Sequence, residues 1–145
     1  MEAKSDSSFS AEEKAAMKAT VAEKQRTKGL AGAKRREVEK QACIDRIAAM
    51  EPADRELAEA VHRIVTTVAP HLDPKTWYGM PAYARDGKVV VFFKDAAKFG
   101  SRYATLGFEE AANLDDGPMW VTSFALTALT SEVEQRISEL VHRAA

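Results

Sequence analysis

The run Thr76-Trp77-Tyr78-Gly79-Met80-Pro81-Ala82-Tyr83-Ala84-Arg85-Asp86-Gly87-Lys88-Val89-Val90-Val91-Phe92-Phe93-Lys94 settles what kind of domain this is. Asp86-Gly87 at its centre is a strong hairpin signal, because a type I′ turn needs positive φ at both central residues and apolar-rich arms flank the pair. A two-residue loop predicts a register with Tyr83 opposite Val90 and Pro81 opposite Phe92. Side chains then sort by alternation. One face receives Tyr78, Met80, Ala82, Ala84, Val89, Val91 and Phe93 and is expected to lie under helices. The other receives Trp77, Gly79, Pro81, Tyr83, Lys88, Val90, Phe92 and Lys94, a mixture of aromatic and cationic groups. Pro81 has no N–H to give a ladder, so its strand is expected at an edge or bulged at that point.

Outward from the hairpin, further strands are expected over about 102–108 and 119–126, joined by an acidic, irregular connector at 109–118. The flanks read as helices. Ser10 and Glu13 form a Ser-x-x-Glu capping box that starts a helix running to about Thr27, with Met17 and Val21 as its sizeable apolar contacts. Gly29 and Gly32 interrupt it, and a second helix follows over about 33–49 with Val38, Ile44 and Ile47 turned inward. Pro52 suits the first turn of a third helix, in which Leu57, Val61, Ile64, Val65 and Val68 make an amphipathic stripe. Val133, Ile137, Leu140, Val141 and Ala144 repeat those offsets in a last helix, capped by Thr130 or Ser131. Two such stripes need one apolar surface to share. The fold class is therefore α+β: an antiparallel sheet of about four strands with helices on one face, and an N-terminal helical extension. Residues 1–8 read as a frayed tail, 9–49 as the extension and 50–145 as the α+β domain.

Composition narrows the function classes. At 145 residues the chain suits one core, and a net charge of −1 gives no overall field to recruit nucleic acid or membrane. The charge is uneven, with 11 basic and 8 acidic side chains in residues 1–50 against 10 and 14 in residues 51–145. A single cysteine, Cys43, and the lack of an apolar leader or a membrane-length run make the cytoplasm the expected compartment.

The motifs of nucleophilic, nucleotide-dependent and zinc chemistry are missing. His62, His71 and His142 have no ligand spacing, and His62 and His142 fall on polar helix faces where a solvated role is expected. Cys43, beside Ile44 in a helical pattern, reads as a packed and inert thiol. No residue receives a catalytic role. The connector carries Asn113, Asp115 and Asp116, whose oxygens suit a hard cation or a solvated turn, and the calcium-loop pattern breaks because Phe124 stands where a bidentate Glu is needed. Lys28-Gly29-Leu30-Ala31-Gly32 with basic flanks is a superficial match to the phosphate-clamping loop of KH domains, which makes the basic hinge at 24–36 a nucleic-acid candidate or a mobile charged linker. The mixed sheet face is the main candidate site. Trp77, Tyr83, Phe92 and Tyr103, framed by Lys88, Lys94 and Lys98 and rimmed by the 113–117 loop and Trp120, would hold a small molecule or a protein segment, unless the first helix or a partner chain covers the rings.

A resemblance adds to this. Lys75-Thr76-Trp77-Tyr78-Gly79-Met80-Pro81-Ala82-Tyr83, then Asp86-Gly87-Lys88-Val89-Val90, Ala97-Lys98-Phe99, Arg102-Tyr103-Ala104-Thr105-Leu106-Gly107-Phe108, Asn113-Leu114-Asp115-Asp116-Gly117 and Met119-Trp120 resemble the bacterial YdhG-like domain family over roughly residues 50–145. The resemblance implies an α+β fold of a frataxin-like superfamily and, for some relatives, a proposed role as an intracellular iron chaperone. Acidic residues that would bind iron on that basis are Glu109, Glu110, Asp115 and Asp116.

Overall fold

In a computed structural model that describes residues 9–145, Asp86 and Gly87 adopt φ of 51° and 82° and Arg85 pairs with Lys88, so the chain reverses where the turn chemistry requires. The tail expected at 1–8 lies outside the described residues. Strands β1 (Asp73–Trp77), β2 (Met80–Arg85), β3 (Lys88–Lys94), β4 (Ala104–Phe108) and β5 (Ser123–Leu126) form one antiparallel sheet in sequential order. Five helices accompany them among the described residues: α1 (Ala11–Thr27), α2 (Gly32–Ala48), α3 (Pro52–Val68), the short α4 (Ala96–Phe99) and α5 (Ser131–Ala144). The fold is α+β, as expected.

The extra strand has a local cause. Tyr78 and Gly79 take φ of 51° and 79°, so the segment expected as one strand over 76–85 folds back on itself in a second tight turn, with Trp77 paired to Met80. β2 is therefore an interior strand, not an edge. Pairs beside a two-residue loop alternate between bonded and non-bonded, which puts the nitrogen of Pro81 on the side of β3. The register between β2 and β3 begins at Ala82, the residue after Pro81.

A bulge lies between Tyr83 and Ala84, where β3 contributes an additional residue. It shifts the register from the one expected. Tyr83 pairs with Val91, not Val90, and Phe92 pairs with Ala82, not Pro81. The face assignment changes accordingly: Tyr83 joins Val91 and Phe93 on the side beneath the helices, while Ala82 shares the opposite side with Trp77 and Phe92. Tyr83, Val91 and Phe93 are all fully buried.

The helices follow their caps and stripes. Ser10 and Glu13 exchange backbone bonds of 3.0 and 2.8 Å, Pro52 occupies the first turn of α3, and Thr130 accepts from the Val133 N–H at 3.1 Å. Leu57, Val61, Ile64 and Val65 of α3 and Ile137, Val141 and Ala144 of α5 meet over Phe93, Leu106 and Phe108 as one core. Two expected contacts fail. Ile47 is inward as expected, with Cys43 beside it, but Ile44 is exposed, and Met17 and Val21 of α1 point outward at 42 % and 59 % exposure. α1 docks through its small side chains: Ala19 abuts Gly79, where an added Cβ would sit 3.2 Å from the Ala19 methyl.

Candidate functional site

The helices leave one side of the sheet to two rings. Trp77 on β1 and Phe92 on β3 reach across β2 with centroids 5.4 Å apart, and both are half-buried. Ala82 lies between their strands and is sealed beneath them. Phe92 lies flat over its cross-strand partner Gly107, so closely that a Cβ there would meet the ring at 2.1 Å. This side is thus paved rather than hollow. A groove of about 900 Å³ opens at its end, lined by Lys75, Trp77, Val89, the hairpin Arg85–Lys88 and Glu109 to Ala111.

Glu109 and Glu110 also line a second groove, of about 650 Å³, with Phe108, Leu114, Asp115, Met119 and Trp120. The loop that builds it is anchored. Glu109 N–H donates to the Val90 carbonyl at 3.0 Å, Asn113 N–H to the Ala144 carbonyl at 2.9 Å, and the Arg85 guanidinium clamps the Ala111 and Ala145 carbonyls. Ala112 and Leu114 are buried as its apolar feet. With those groups fixed, Asp115 and Asp116 and the run 117–123 face solvent, and Met119, Trp120 and Val121 are exposed at 87 %, 39 % and 58 %. Large apolar side chains beside four carboxylates are an uncommon surface.

The residues expected to share one site are distributed over several. Trp77 and Phe92 pave the bare side, and Tyr83 is in the core. Lys98 lies with Glu23, Arg26 and Arg46 along a groove of about 610 Å³ between α1, α2 and the Tyr78-Gly79 turn. Tyr103 sits by α3 with Arg102 over its ring at 5.1 Å. Asn113, Asp115, Asp116 and Trp120 belong to the anchored loop, where Glu109, Glu110 and Asp115 are the acids that line its groove. Among the described residues no three His, Cys, Asp or Glu side chains gather in a metal-holding group. The basic hinge connects α1 to α2, with Gly29 and Gly32 at φ of 79° and 59°.

Two polar arrangements were not foreseen. Arg46 forms two bonds to the buried Asp95 carboxylate at 2.9 and 2.8 Å and a third to the Gly79 carbonyl at 2.8 Å, while Gly79 N–H donates to Glu23 at 3.0 Å. These bonds lock the second turn to α1, α2 and the start of α4. An arginine between Cys43 and Ile47 on the inward side of α2 was the available signal. The second arrangement corrects the solvated role expected of His62: its Nδ1 lies 2.8 Å from the Tyr83 hydroxyl. Burial pushes the Cys43 thiol up to about 11 and Tyr83 well above the usual phenol value, and both therefore keep their protons. Burial, with Lys40 nearby, lowers His62, so a neutral ring can accept from the Tyr83 hydroxyl. Cys43 is wholly enclosed, which suits a structural role.

Set against family models, curated proteins and solved structures, the chain matches none of them. Among the described residues no helix is long and apolar enough to cross a membrane.

Proposed function

We propose that this domain is a binding module for a protein segment that carries lysine or arginine next to apolar side chains, engaged at the surface around Glu109 and Glu110. One observation carries the reading: two adjoining grooves share those carboxylates, and each has a tryptophan on its wall, Trp77 in one and Trp120 in the other. A cation with an apolar stem satisfies both kinds of wall, since carboxylates and indole faces each attract it and the stem covers Met119 and Val121. The anchoring of the loop by Arg85 and Asn113 supports this, because a site held in place loses little entropy on binding. The lone buried cysteine fits a reducing compartment such as the cytoplasm.

The test is titration of the full chain with a synthetic peptide of alternating lysine and leucine, followed by the amide signals of residues 109–122. Those signals are expected to move. Trp120→Ala and Glu110→Gln, both at exposed positions, are each expected to weaken binding about tenfold or more, as central aromatic and charged anchors do. A peptide with glutamate in place of lysine should leave the signals still. Unmoved amides with the lysine peptide, or unchanged affinity in both variants, would defeat the reading.

A further inference from the structure

α1 docks with the wrong side for an ordinary amphipathic helix. Its inward residues include Ala15, Ala16, Ala19, Thr20 and Glu23, all half-buried, whereas Lys14, Met17, Val21, Lys24 and Lys28 recur at alternating intervals of 3 and 4 along the outer side and are all exposed. That recurrence is a single stripe on a helix. It presents two apolar side chains flanked by cations over about 21 Å, at ~1.5 Å per residue. The acids of the helix do not interrupt it: Glu12 and Glu23 turn inward, and Glu13 is held in the capping box with Ser10. Met17 and Val21 were the residues the sequence marked for the core, and the fold does not use them there.

The surface around Glu109 and Glu110 is the complement of this stripe. It has acids where the stripe has lysines, and Met119, Trp120 and Val121 where the stripe has Met17 and Val21. One chain does not join the two, because α1 docks against Thr76 to Tyr78 with Ala19 and Glu23 inward and turns Lys14, Met17, Val21 and Lys24 away from its own sheet.

We infer that the outer stripe of α1 in one copy docks on the 109–121 surface of a second copy. This rests on the role proposed for that surface and names its partner. Because the two faces differ, the contact is heterologous, and a pair of copies retains one unused stripe and one unused loop; association therefore continues into short chains or closes as a ring. The attraction between exposed charges is screened by salt, and the apolar centre supplies the part that is not.

The experiment is sedimentation of the full chain across the micromolar range, with two charge-reversed variants. Lys14→Glu with Lys24→Glu reverses the stripe; Glu110→Lys with Asp115→Lys reverses the loop. All four positions are exposed, and a thermal melt of each variant checks that it folds as the wild type does. The wild type is expected to form species larger than a monomer that shrink when salt rises from about 0.1 to about 1 M, as the screening length falls from ~10 to ~3 Å. Each variant alone should associate at least about tenfold more weakly, ~1.4 kcal/mol. Mixed in equal amounts, the two variants should associate again, since the acidic stripe of one meets the basic loop of the other. A variant that associates like the wild type, or a mixture no larger than its components, overturns the inference. A wild type that stays monomeric yet binds phosphatidylserine vesicles or single-stranded RNA through Lys14 and Lys24 also overturns it, in favour of that partner. A monomeric wild type whose 109–122 amides still move with the lysine–leucine peptide overturns self-docking and leaves the binding surface standing.

Discussion

Replacing Gly107 with alanine tests the geometry of the bare side of the sheet. The added Cβ would lie 2.1 Å from Phe92 Cζ, 2.4 Å from Cε1 and 2.8 Å from Cε2. Carbon atoms rest at about 3.5–4.0 Å, so the ring must retreat by roughly 1.5 Å. Trp77 stands in its path at 5.4 Å between centroids, and displacing that pair sacrifices an aromatic contact of about 0.5–1.5 kcal/mol in addition to the strain. Overpacking of this kind costs about 1–3 kcal/mol, and alanine returns roughly 0.4–1 kcal/mol by restricting the unfolded chain. A net loss of about 0.5–4 kcal/mol is expected, read as a fall of roughly 2–15 °C in melting temperature for a chain of this size. A double-mutant cycle makes the test specific. With Phe92→Ala, or Phe92→Leu if the alanine variant is too unstable, the same Gly107→Ala change should cost less than about 0.5 kcal/mol, because the clash has been removed. Equal penalties in both backgrounds, or no penalty in the first, would show that Phe92 does not lie over Gly107.

Arg46→Leu should destabilise the protein by about 3–5 kcal/mol in urea unfolding, since it leaves Asp95 buried at 2 % exposure without its cation; adding Asp95→Asn should recover part of that loss, and the absence of any recovery would mean the pair is not what Arg46 supports. For His62 the shift is downward, so between the folded and unfolded values the folded chain binds fewer protons. Its contribution is thus complete above the ordinary value of about 6.5 and declines as pH falls through the lower folded value. The urea midpoint of the wild type should drop over that interval relative to His62→Gln, and parallel profiles would refute the burial of the His62 ring. Cys43, held near 11 and enclosed, should react with a thiol reagent at pH 8 at least about a hundredfold more slowly in the folded chain than in urea, where its value returns to about 8.5; comparable rates would mean that the thiol is accessible.

What the sequence makes legible and what it hides divide along physical lines. Asp86-Gly87 could be read because both residue types are selected by positive φ, and the stripes of α3 and α5 because a helix repeats its demand every turn. Tyr78-Gly79 performs the same reversal as Asp86-Gly87, at φ of 51° and 79°, but tyrosine is a poor advertisement for a left-handed residue. Its cost is borne by contacts from outside the hairpin, Arg46 on the Gly79 carbonyl and Glu23 on its N–H, which no local pattern reports. The bulge at Tyr83 and Ala84 is hidden for a related reason: a slip of one residue exchanges the two faces of a strand, and β2 offers alanines on one face and a proline and a tyrosine on the other, with little hydropathy contrast to fix the register. What placed Tyr83 inward was a partner, His62, twenty-one positions earlier and on a helix face that reads as polar. The surface proposed for binding was half legible. Its acids and Trp120 were visible as a loop composition, whereas the clamp by Arg85 that holds the loop, and the outward turn of Met17 and Val21, arise only when tertiary contacts decide which of several apolar residues are buried. Met17 and Val21, which the sequence marks as apolar contacts and packing returns to solvent, leave α1 with apolar surface for another molecule, and among the described residues the exposed 119–121 run offers apolar surface beside the opposite charge.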